Sequence, residues 1–406
     1  MPFDFPNSPT NGQTATNGGI VYAYDGTKWV RATGSGTGVT SWNTRTGAVT
    51  LTSGDVTAAG GAPLASPVFT GNPTAPTPIA GDADTSIATT AFVQAAQPPS
   101  VGKNLLHNSM FNVAQRGAGP FTANGAYTLD RWQTQSTLDA VSFSAVAMTD
   151  ADRTAVGDES AATCLQNVFT GNAGASAFNE IIQSIEGSRR LSGKTITLSF
   201  WAIAGAALKL GINGYQYYGA GGGTAASWAA TGTAVQLSTT WTRYSATFNV
   251  PSSAGKTLGT AGTDTSVLQI FYSAGATNGP SAGNIGVQSG VVKIWGVQLE
   301  IGSVATPLEK PDPLMQLQQC QRFYCIGQVL MGSSNQSAGG GLLVSQQLPV
   351  TMRATPTVTP TASGGQANIS GLAAGAYNGL SIYFSGNATV AGAAILGATF
   401  TASADL

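Results

Sequence analysis

The chain has 406 residues and a formal net charge of −1, and only 9% of its residues are charged. An ordinary soluble domain carries about 25% charged residues, so we expect further copies of the chain to cover much of this surface. The 17 Lys and Arg residues form no cluster that would neutralise a phosphate backbone, which argues against a nucleic-acid partner. The one basic pair, Arg189–Arg190, predicts a solvated turn.

Neither a leader nor a membrane segment is expected. Met1–Thr10 lacks the basic region and apolar core of a signal peptide, and no apolar run reaches the roughly 20 residues of a membrane helix. The three cysteines, Cys164, Cys320 and Cys325, are too scattered for a disulfide framework or a zinc site. We interpret them as buried thiols, with a bond between subunits through Cys320 and Cys325 as the alternative. No metal or cofactor is expected.

Residues 1–32 predict a small docking anchor. The segment Gly19–Tyr24 is strand-like, Asp25-Gly26 indicates a hairpin turn, and Lys28–Val30 returns. Because a single hairpin is marginally stable in water, we expect this one to pack on the surface to which it docks. The alternative is a disordered terminus. The candidate docking residues are aromatic: Phe3, Phe5, Tyr22, Tyr24 and Trp29.

Residues 33–100 predict a shaft or linker in which short β-prone pieces alternate with Gly and Pro. None of the pieces Val39–Trp42, Ala48–Leu51 and Val68–Thr70 buries a core within one chain. Ile87–Ala95 has helical spacing, with Thr85 or Ser86 as its cap. Such a short helix is marginal alone, so we expect its apolar face to pack around a symmetry axis. That face comprises Ile87, Ala91, Phe92 and Ala95.

Residues 101–406 predict the main, mostly all-β part of the chain. Alternating apolar and polar residues without long helical patterns indicate an antiparallel sandwich within 101–312. Its predicted strands are Thr195–Ala202, Trp241–Val250, Val267–Tyr272 and Val291–Leu299. A helix is predicted over 313–328, followed by a small β-domain to residue 406. No fixed-period repeat runs through the chain, which argues against the parallel β-helix of a depolymerising tailspike.

Two stretches resemble trimeric shaft elements of phage fibres. Ser66–Pro78 reads SPVFTGNPTAPTP and Ile87–Val93 reads IATTAFV, which is similar to a shaft motif of trimeric tail fibres. Val39–Leu51 is similar to an SFNGRTGAV element of tail proteins, with Trp42 in place of Phe and Thr44 in place of Gly. The resemblance implies homotrimers located in a virion, with residues 1–32 bound to another virion protein.

Four further segments resemble a jelly-roll module of phage tail proteins that is akin to carbohydrate-binding, galactose-binding-like domains. These segments are Asn104–Phe111, Gln115–Gly117, Asp130–Trp132 and Gln298–Pro307. Leu317–Tyr324 is similar to the helix that often follows this module. The resemblance implies contact with a host surface.

Catalytic residues are not expected. His107, the only histidine, is interpreted as a packed residue within a strand-like segment, since a catalytic histidine needs positioned partners. Glycan hydrolysis needs two facing carboxylates, and the sequence singles out no pair. Asp130 is interpreted as the partner of Arg116 in an ion pair, with Trp132 in the core.

The segment Asn213–Gly219 is the candidate glycan site. Sugars stack on aromatic faces and bond to amide and carboxyl groups, and three tyrosines stand here among glycines in a predicted loop. The alternative is packing against a neighbouring subunit. The candidate ligand-binding residues are Asn213, Tyr215, Tyr217, Tyr218 and Trp228.

The sequence therefore predicts a homotrimeric, non-enzymatic structural subunit of a phage particle. The first hypothesis is a tail fibre that binds host surface glycan. The alternative is a head, neck or collar fibre or a decoration protein, and a glycan depolymerase is disfavoured.

Overall fold

The computed structural model describes residues 4–32, 41–42, 45–46, 52–59, 71–79, 82–96 and 102–406. Two compact units, Met1–Ala96 and Gln97–Leu406, make up the chain. Phe3 and the predicted strands at 48–51 and 68–70 lie outside the described residues. Within the described ranges, no helix is both long and apolar enough to cross a membrane.

The first unit begins with an antiparallel meander of three strands. Its strands are β1 (Thr14–Asn17), β2 (Ile20–Tyr24) and β3 (Trp29–Arg31), and a two-residue pair follows as β4 (Ser41–Trp42) and β5 (Arg45–Thr46). The predicted hairpin is confirmed, with the Asp25 carboxylate accepting hydrogen bonds from the main-chain N–H groups of Thr27 and Lys28 in the turn.

Four of the five candidate docking residues form one aromatic cluster on this meander. Phe5 stacks on Trp29 with ring centroids 4.8 Å apart, and it meets Tyr22 edge-on at 5.4 Å. Tyr24 lies 5.6 Å from Trp29. All four rings are half-buried, so the cluster supplies the apolar contacts that hold the three short strands together.

Two short helices follow, α1 (Ser53–Ala58) and α2 (Thr90–Ala96). The predicted helix start at Ile87 is wrong, and so is the predicted cap. The hydroxyl of Thr89 accepts a hydrogen bond from the N–H of Phe92, so Thr89 caps the helix and Ile87 precedes it. Ile87 is 67% exposed and Phe92 is half-buried.

The second unit contains an antiparallel β-sandwich, which confirms the predicted all-β class. Sheet I has the strand order β14-β10-β16-β8-β7, and sheet II has the order β12-β11-β15-β9-β6, with β13 also paired to β11. The strands are β6 (Gln133–Thr137), β7 (Ala140–Ala147), β8 (Thr163–Thr170), β9 (Phe178–Glu186), β10 (Thr195–Ala204), β11 (Lys209–Tyr217), β12 (Ala226–Ser227), β13 (Thr233–Gln236), β14 (Thr242–Asn249), β15 (Thr265–Ala274) and β16 (Ser289–Ile301). A helix α3 (Asp150–Val156) and a 3-10 turn (Ser188–Arg190) stand between them. All four strands predicted within this domain are present.

The core fills the space between sheets I and II. In β10 the residues Ile196, Leu198 and Phe200 are fully buried, as the alternating sequence predicts. Across the interface, Tyr272 of sheet II meets Phe143 and Phe169 of sheet I at centroid distances of 5.5 and 5.7 Å. Burial of each such side chain contributes about 1.5 to 3 kcal/mol.

The segment 104–111 is not a strand, contrary to the prediction. Asn108 takes a left-handed conformation (φ 52°), and its amide group bonds to the main chain of Val113 and Asp130. The hydrogen bonds of this side chain therefore hold the segment in place where strand pairing was expected. The predicted ion pair of Asp130 with Arg116 is present at 3.8 Å, and Trp132 is fully buried beside it.

Helix α4 (Pro313–Gln321) opens the last part of the chain and is shorter than predicted. Asp312 caps its start by accepting from the N–H of Leu314. The helix ends at residue 321 because the next segment pairs over its whole length with the final strand and buries Cys325 and Val329.

The remaining chain forms a smaller sandwich of two three-stranded sheets, in the orders β17-β22-β19 and β18-β21-β20. Their strands are β17 (Tyr324–Gln336), β18 (Gly341–Gln347), β19 (Thr357–Ala362), β20 (Ile369–Ala376), β21 (Ser381–Ala388) and β22 (Gly392–Ser403). Phe384 and Phe400 meet between the sheets at 5.2 Å. The predicted C-terminal β-domain is thus present.

Charged groups join the two sandwiches. Glu186 at the end of β9 accepts from Arg322 at 2.9 Å and from Arg353 at 3.4 Å. On the other side, Arg116 pairs with Asp405 and lies 3.5 Å from the ring centroid of Tyr324. The C-terminal part of the chain therefore contacts sheet II at the end of β9, next to Glu186.

Candidate functional site

Sheet II has one face in the core and one face turned outward. Side chains alternate between the faces of a strand, and Ile181, Leu210 and Ile270 point into the core. The intervening side chains point outward, and the strand register places them side by side. This outer face consists of Gln133, Gln135, Glu180, Ile182, Ser184, Glu186, Asn213, Tyr215, Tyr217, Thr265, Val267, Gln269 and Phe271.

Both ends of the outer face are bounded. At one end the loop that contains Ala282 packs directly on β11. A Cβ added to Gly211 would lie 2.1 Å from the carbonyl oxygen of Ala282. At the other end Glu186 is held by Arg322 and Arg353 of the C-terminal part. The six steps of β11 between these ends give a floor of roughly 20 Å.

Glu180 is the buried carboxyl group of this floor. It is only 3% exposed, and its Oε2 accepts a hydrogen bond from Nε2 of Gln269 at 2.9 Å. Burial raises the pKa of Glu180 to about 8. At neutral pH the group is therefore mostly protonated, and it presents both a donor and an acceptor.

Tyr215 lies on the same face of the sheet as Glu180, two strands away. Burial is the main cause that raises the pKa of Tyr215, and the charges of Glu180 and Tyr217 add to it, which reflects their proximity. Tyr215 is half-buried, whereas Tyr217 is 39% exposed. An aromatic ring next to carboxyl and amide groups suits a sugar, since the ring packs on the pyranose and the polar groups bond to its hydroxyls.

The other three candidate ligand residues have structural positions. Asn213 is buried, with its amide bonded to main-chain atoms of Ala229 and Ser281. Tyr218 is fully buried, and its hydroxyl donates to Gln216. The predicted loop is wrong over residues 213–217, which form the end of β11, because each of these residues pairs with β15.

Trp228 packs in the core on the opposite side of β11. A Cβ on Gly214 would lie 2.4 Å from the Trp228 ring, so this glycine is required by the close approach of the indole. The outer-face residues that sequence reasoning missed are Glu180, Gln269, Gln133 and Gln135. In their strands these polar residues stand next to apolar core residues. Only the strand register shows that they lie close together on one face.

The three thiols lie inside the protein. Cys164, Cys320 and Cys325 are free and buried. Burial raises the pKa of Cys164 to about 12 and that of Cys325 to about 11, and it also raises the pKa of Cys320. A bond between subunits through Cys320 and Cys325 would require both side chains to leave these positions.

Metal-ligating side chains do not cluster in the part of the chain that the structure describes. There, no group of three or more His, Cys, Asp or Glu side chains is placed to hold an ion.

No family model and no curated protein sequence matches the chain. Among solved structures, the enzymatically active domain of tailspike protein 4 of bacteriophage CBA120 is similar at 15% identity, over 49% of this chain and 22% of that one, with a TM-score of 0.28. The family 11 carbohydrate-binding module of the cellulase Lic26A-Cel5E of Clostridium thermocellum matches at 12% identity, over 47% and 98% of the two chains, with a TM-score of 0.28. The CBM22-1 xylan-binding domain of Paenibacillus barcinonensis Xyn10C matches at 10% identity, over 50% and 97%, also with a TM-score of 0.28. Similarities at this level assign neither a family nor a function to this chain.

Proposed function

We propose that this chain is a glycan-binding structural subunit of a phage particle. The observation that carries the binding role is the outer face of sheet II, which presents the ring of Tyr215 on the same surface as the hydrogen-bonded pair of Glu180 and Gln269. Hydroxyl groups of an uncharged sugar find both donors and acceptors there, and the neutral carboxyl avoids the cost of a buried charge.

The particle assignment rests on the sequence motifs. Ser66–Pro78 and Ile87–Val93 are similar to a shaft motif of trimeric fibres, and the scarcity of charge favours a surface covered by copies. In this proposal residues 1–32 dock on another virion protein. Three weak sites on one trimer would hold a host surface more tightly than one site, because binding of the first site raises the effective concentration of glycan at the other two.

The proposed role is binding without catalysis. Glu180 and Glu186 are the two carboxylates that the register places on the outer face, and they stand six positions apart along β9. That spacing corresponds to roughly 20 Å, whereas the carboxylates of glycosidases stand about 5 to 9.5 Å apart. Incubation with host capsule should therefore release no soluble fragments.

Tyr215→Ala should weaken glycan binding about thirtyfold, the loss expected when a central aromatic contact is removed. The measurement is binding of the intact protein to an array of bacterial surface glycans, followed by titration with the glycan that responds. Tyr377→Ala is the matched control, because Tyr377 is 57% exposed in the C-terminal sandwich. Equal affinities for the two variants, or a wild-type protein that binds no glycan, would contradict the proposal.

A mass of three times the chain's 40.9 kDa is expected by light scattering at micromolar concentration. A stable monomer would refute the trimer. Labelling residues 1–32 on intact particles then separates a tail fibre, which we favour, from a head, neck or collar fibre.

A further inference from the structure

A second candidate site lies beyond the edge of sheet II, in a cavity of about 180 Å³. The end of β9, the end of helix α4 and the segment before Asn108 meet there. The charged and titratable residues of its wall are His107, Arg131, Glu186, Arg190 and Arg322. Three arginines and one glutamate give this small space a positive charge.

Arg131 is buried in this wall with incomplete hydrogen bonding. It is 2% exposed, and its guanidinium carbon lies 3.4 Å from the ring centroid of Phe323. One terminal nitrogen donates to the carbonyl oxygen of Ser184 at 2.5 Å. The other two nitrogens, Nε and Nη1, are buried without a hydrogen-bond partner. An unsatisfied buried cation is costly, so such nitrogens point to a missing acceptor.

His107 contributes a third unsatisfied nitrogen to the same wall. Gln183 holds its main chain, accepting from its N–H at 2.7 Å and donating to its carbonyl oxygen at 3.0 Å. Its ring lies 5.8 Å from Phe323, and its Nδ1 is buried without a partner. Burial, together with the nearby charges of Arg131, Arg190 and Arg322, lowers the pKa of His107 to about 3. The imidazole is therefore neutral and can donate one hydrogen bond.

The negative charge of the wall is already engaged. Both carboxylate oxygens of Glu186 accept hydrogen bonds from Arg322, at 2.9 and 3.0 Å. Glu186 also forms an ion pair with Arg353, which does not line the cavity. Arg190 is exposed, and its side chain has no hydrogen bond or ion pair among the described contacts. It follows that neither Arg131 nor Arg190 has a carboxylate of its own.

We propose that this cavity binds a small oxyanion, a carboxylate or a phosphate group, held by Arg131, Arg190 and His107. The space suits such a group, since one water occupies about 30 Å³ of liquid and the cavity is several times larger. Arginine guanidinium groups form strong, charge-assisted bonds to carboxylate and phosphate oxygens, and burial keeps the nitrogens of Arg131 away from water.

The cavity adjoins the outer face of sheet II. Ser184 lines the cavity and shares a register row with Val267 and Tyr215, two strands away. Ser184 is thus roughly 10 Å from Tyr215 across the sheet. The anion site does not depend on glycan binding by the outer face, and inorganic phosphate tests it alone.

The experiment is calorimetric titration of the intact protein with inorganic phosphate, with glucuronate, and with glucose as the uncharged counterpart, all at constant ionic strength. Phosphate and glucuronate should bind saturably and glucose should not bind in this cavity. Tighter binding of glucuronate than of phosphate would identify an acidic sugar as the source of the group. The reverse order would identify free phosphate.

Arg190→Gln should weaken phosphate binding about tenfold, the loss of one charge-assisted hydrogen bond. Arg189→Gln is the matched control, since Arg189 is exposed in the same turn but does not line the cavity. Unaltered phosphate affinity in the Arg190 variant, equal losses in both variants, or no saturable anion binding by the wild type would overturn the proposal. Phosphate binding by Tyr215→Ala should stay unchanged, which separates this site from the outer face.

Discussion

Replacing Glu180 by glutamine should stabilise the protein against unfolding at about pH 9 by a few kcal/mol and change little at about pH 4. In the folded chain the pKa of Glu180 is about 8, against an ordinary value of 4.5. Folding therefore favours the protonated form. Above the folded pKa the wild-type protein must bury a charge whose only described side-chain partner is Gln269, and glutamine removes that cost.

The sign of the pH dependence follows from proton uptake. Between about pH 4.5 and 8 the folded state holds a proton on Glu180 that the unfolded state has lost, so the free energy of unfolding falls as the pH rises. Urea unfolding of both proteins across this range measures the effect. Glu159→Gln is the control, because that side chain is 85% exposed. Parallel pH profiles for wild type and Glu180→Gln would show that Glu180 is an ordinary ionised carboxylate.

Gly211→Ala should lower the free energy of unfolding by about 2 to 3 kcal/mol, the usual cost of overfilling a packed site. The new Cβ would lie 2.1 Å from the carbonyl oxygen of Ala282, and main-chain atoms have no rotamer with which to yield. The loop must move, although Ala282 and Ile285 pack in a small cluster with Phe271. Since this loop bounds the outer face, glycan affinity should fall as well.

Gly205→Ala is the matched control for this substitution. Its Cβ would lie 3.8 Å from the nearest atom, an ordinary contact, so we expect a change of less than about 0.5 kcal/mol. Both variants are compared by thermal and urea unfolding. If the two alanines prove equally mild, the close approach of the loop to Gly211 is not a constraint in solution.

The loss of alternation, rather than burial on both faces, hid β9 from the sequence, since β10 is buried on both faces and was predicted. In β10 the residues Ile196, Leu198 and Phe200 alternate with smaller or polar neighbours, and the strand was found. In β9 the adjacent Ile181 and Ile182 are both buried, one in the core and one on the outer face, so the alternation disappears.

The candidate glycan site also shows what a single segment of sequence cannot reveal. Tyr215 and Tyr217 were identified because tyrosines among glycines stand out in one segment. Glu180 and Gln269 lie 35 and 54 residues away from Tyr215, in strands whose register no single segment encodes. In a similar way, Tyr324 continued a helical pattern locally, but pairing with Ser403 at the far end of the chain made it a strand.

The burial of all three cysteines has a practical consequence for labelling the protein. A maleimide is attacked by the thiolate form of cysteine, and buried thiols with raised pKa values supply almost no thiolate at neutral pH. A single cysteine introduced on an exposed position, such as Leu343 at 56% exposure, would thus become the reactive thiol of the folded chain. Fluorophores attached there would report the spacing of subunits in the proposed trimer without removing any residue that supports the core.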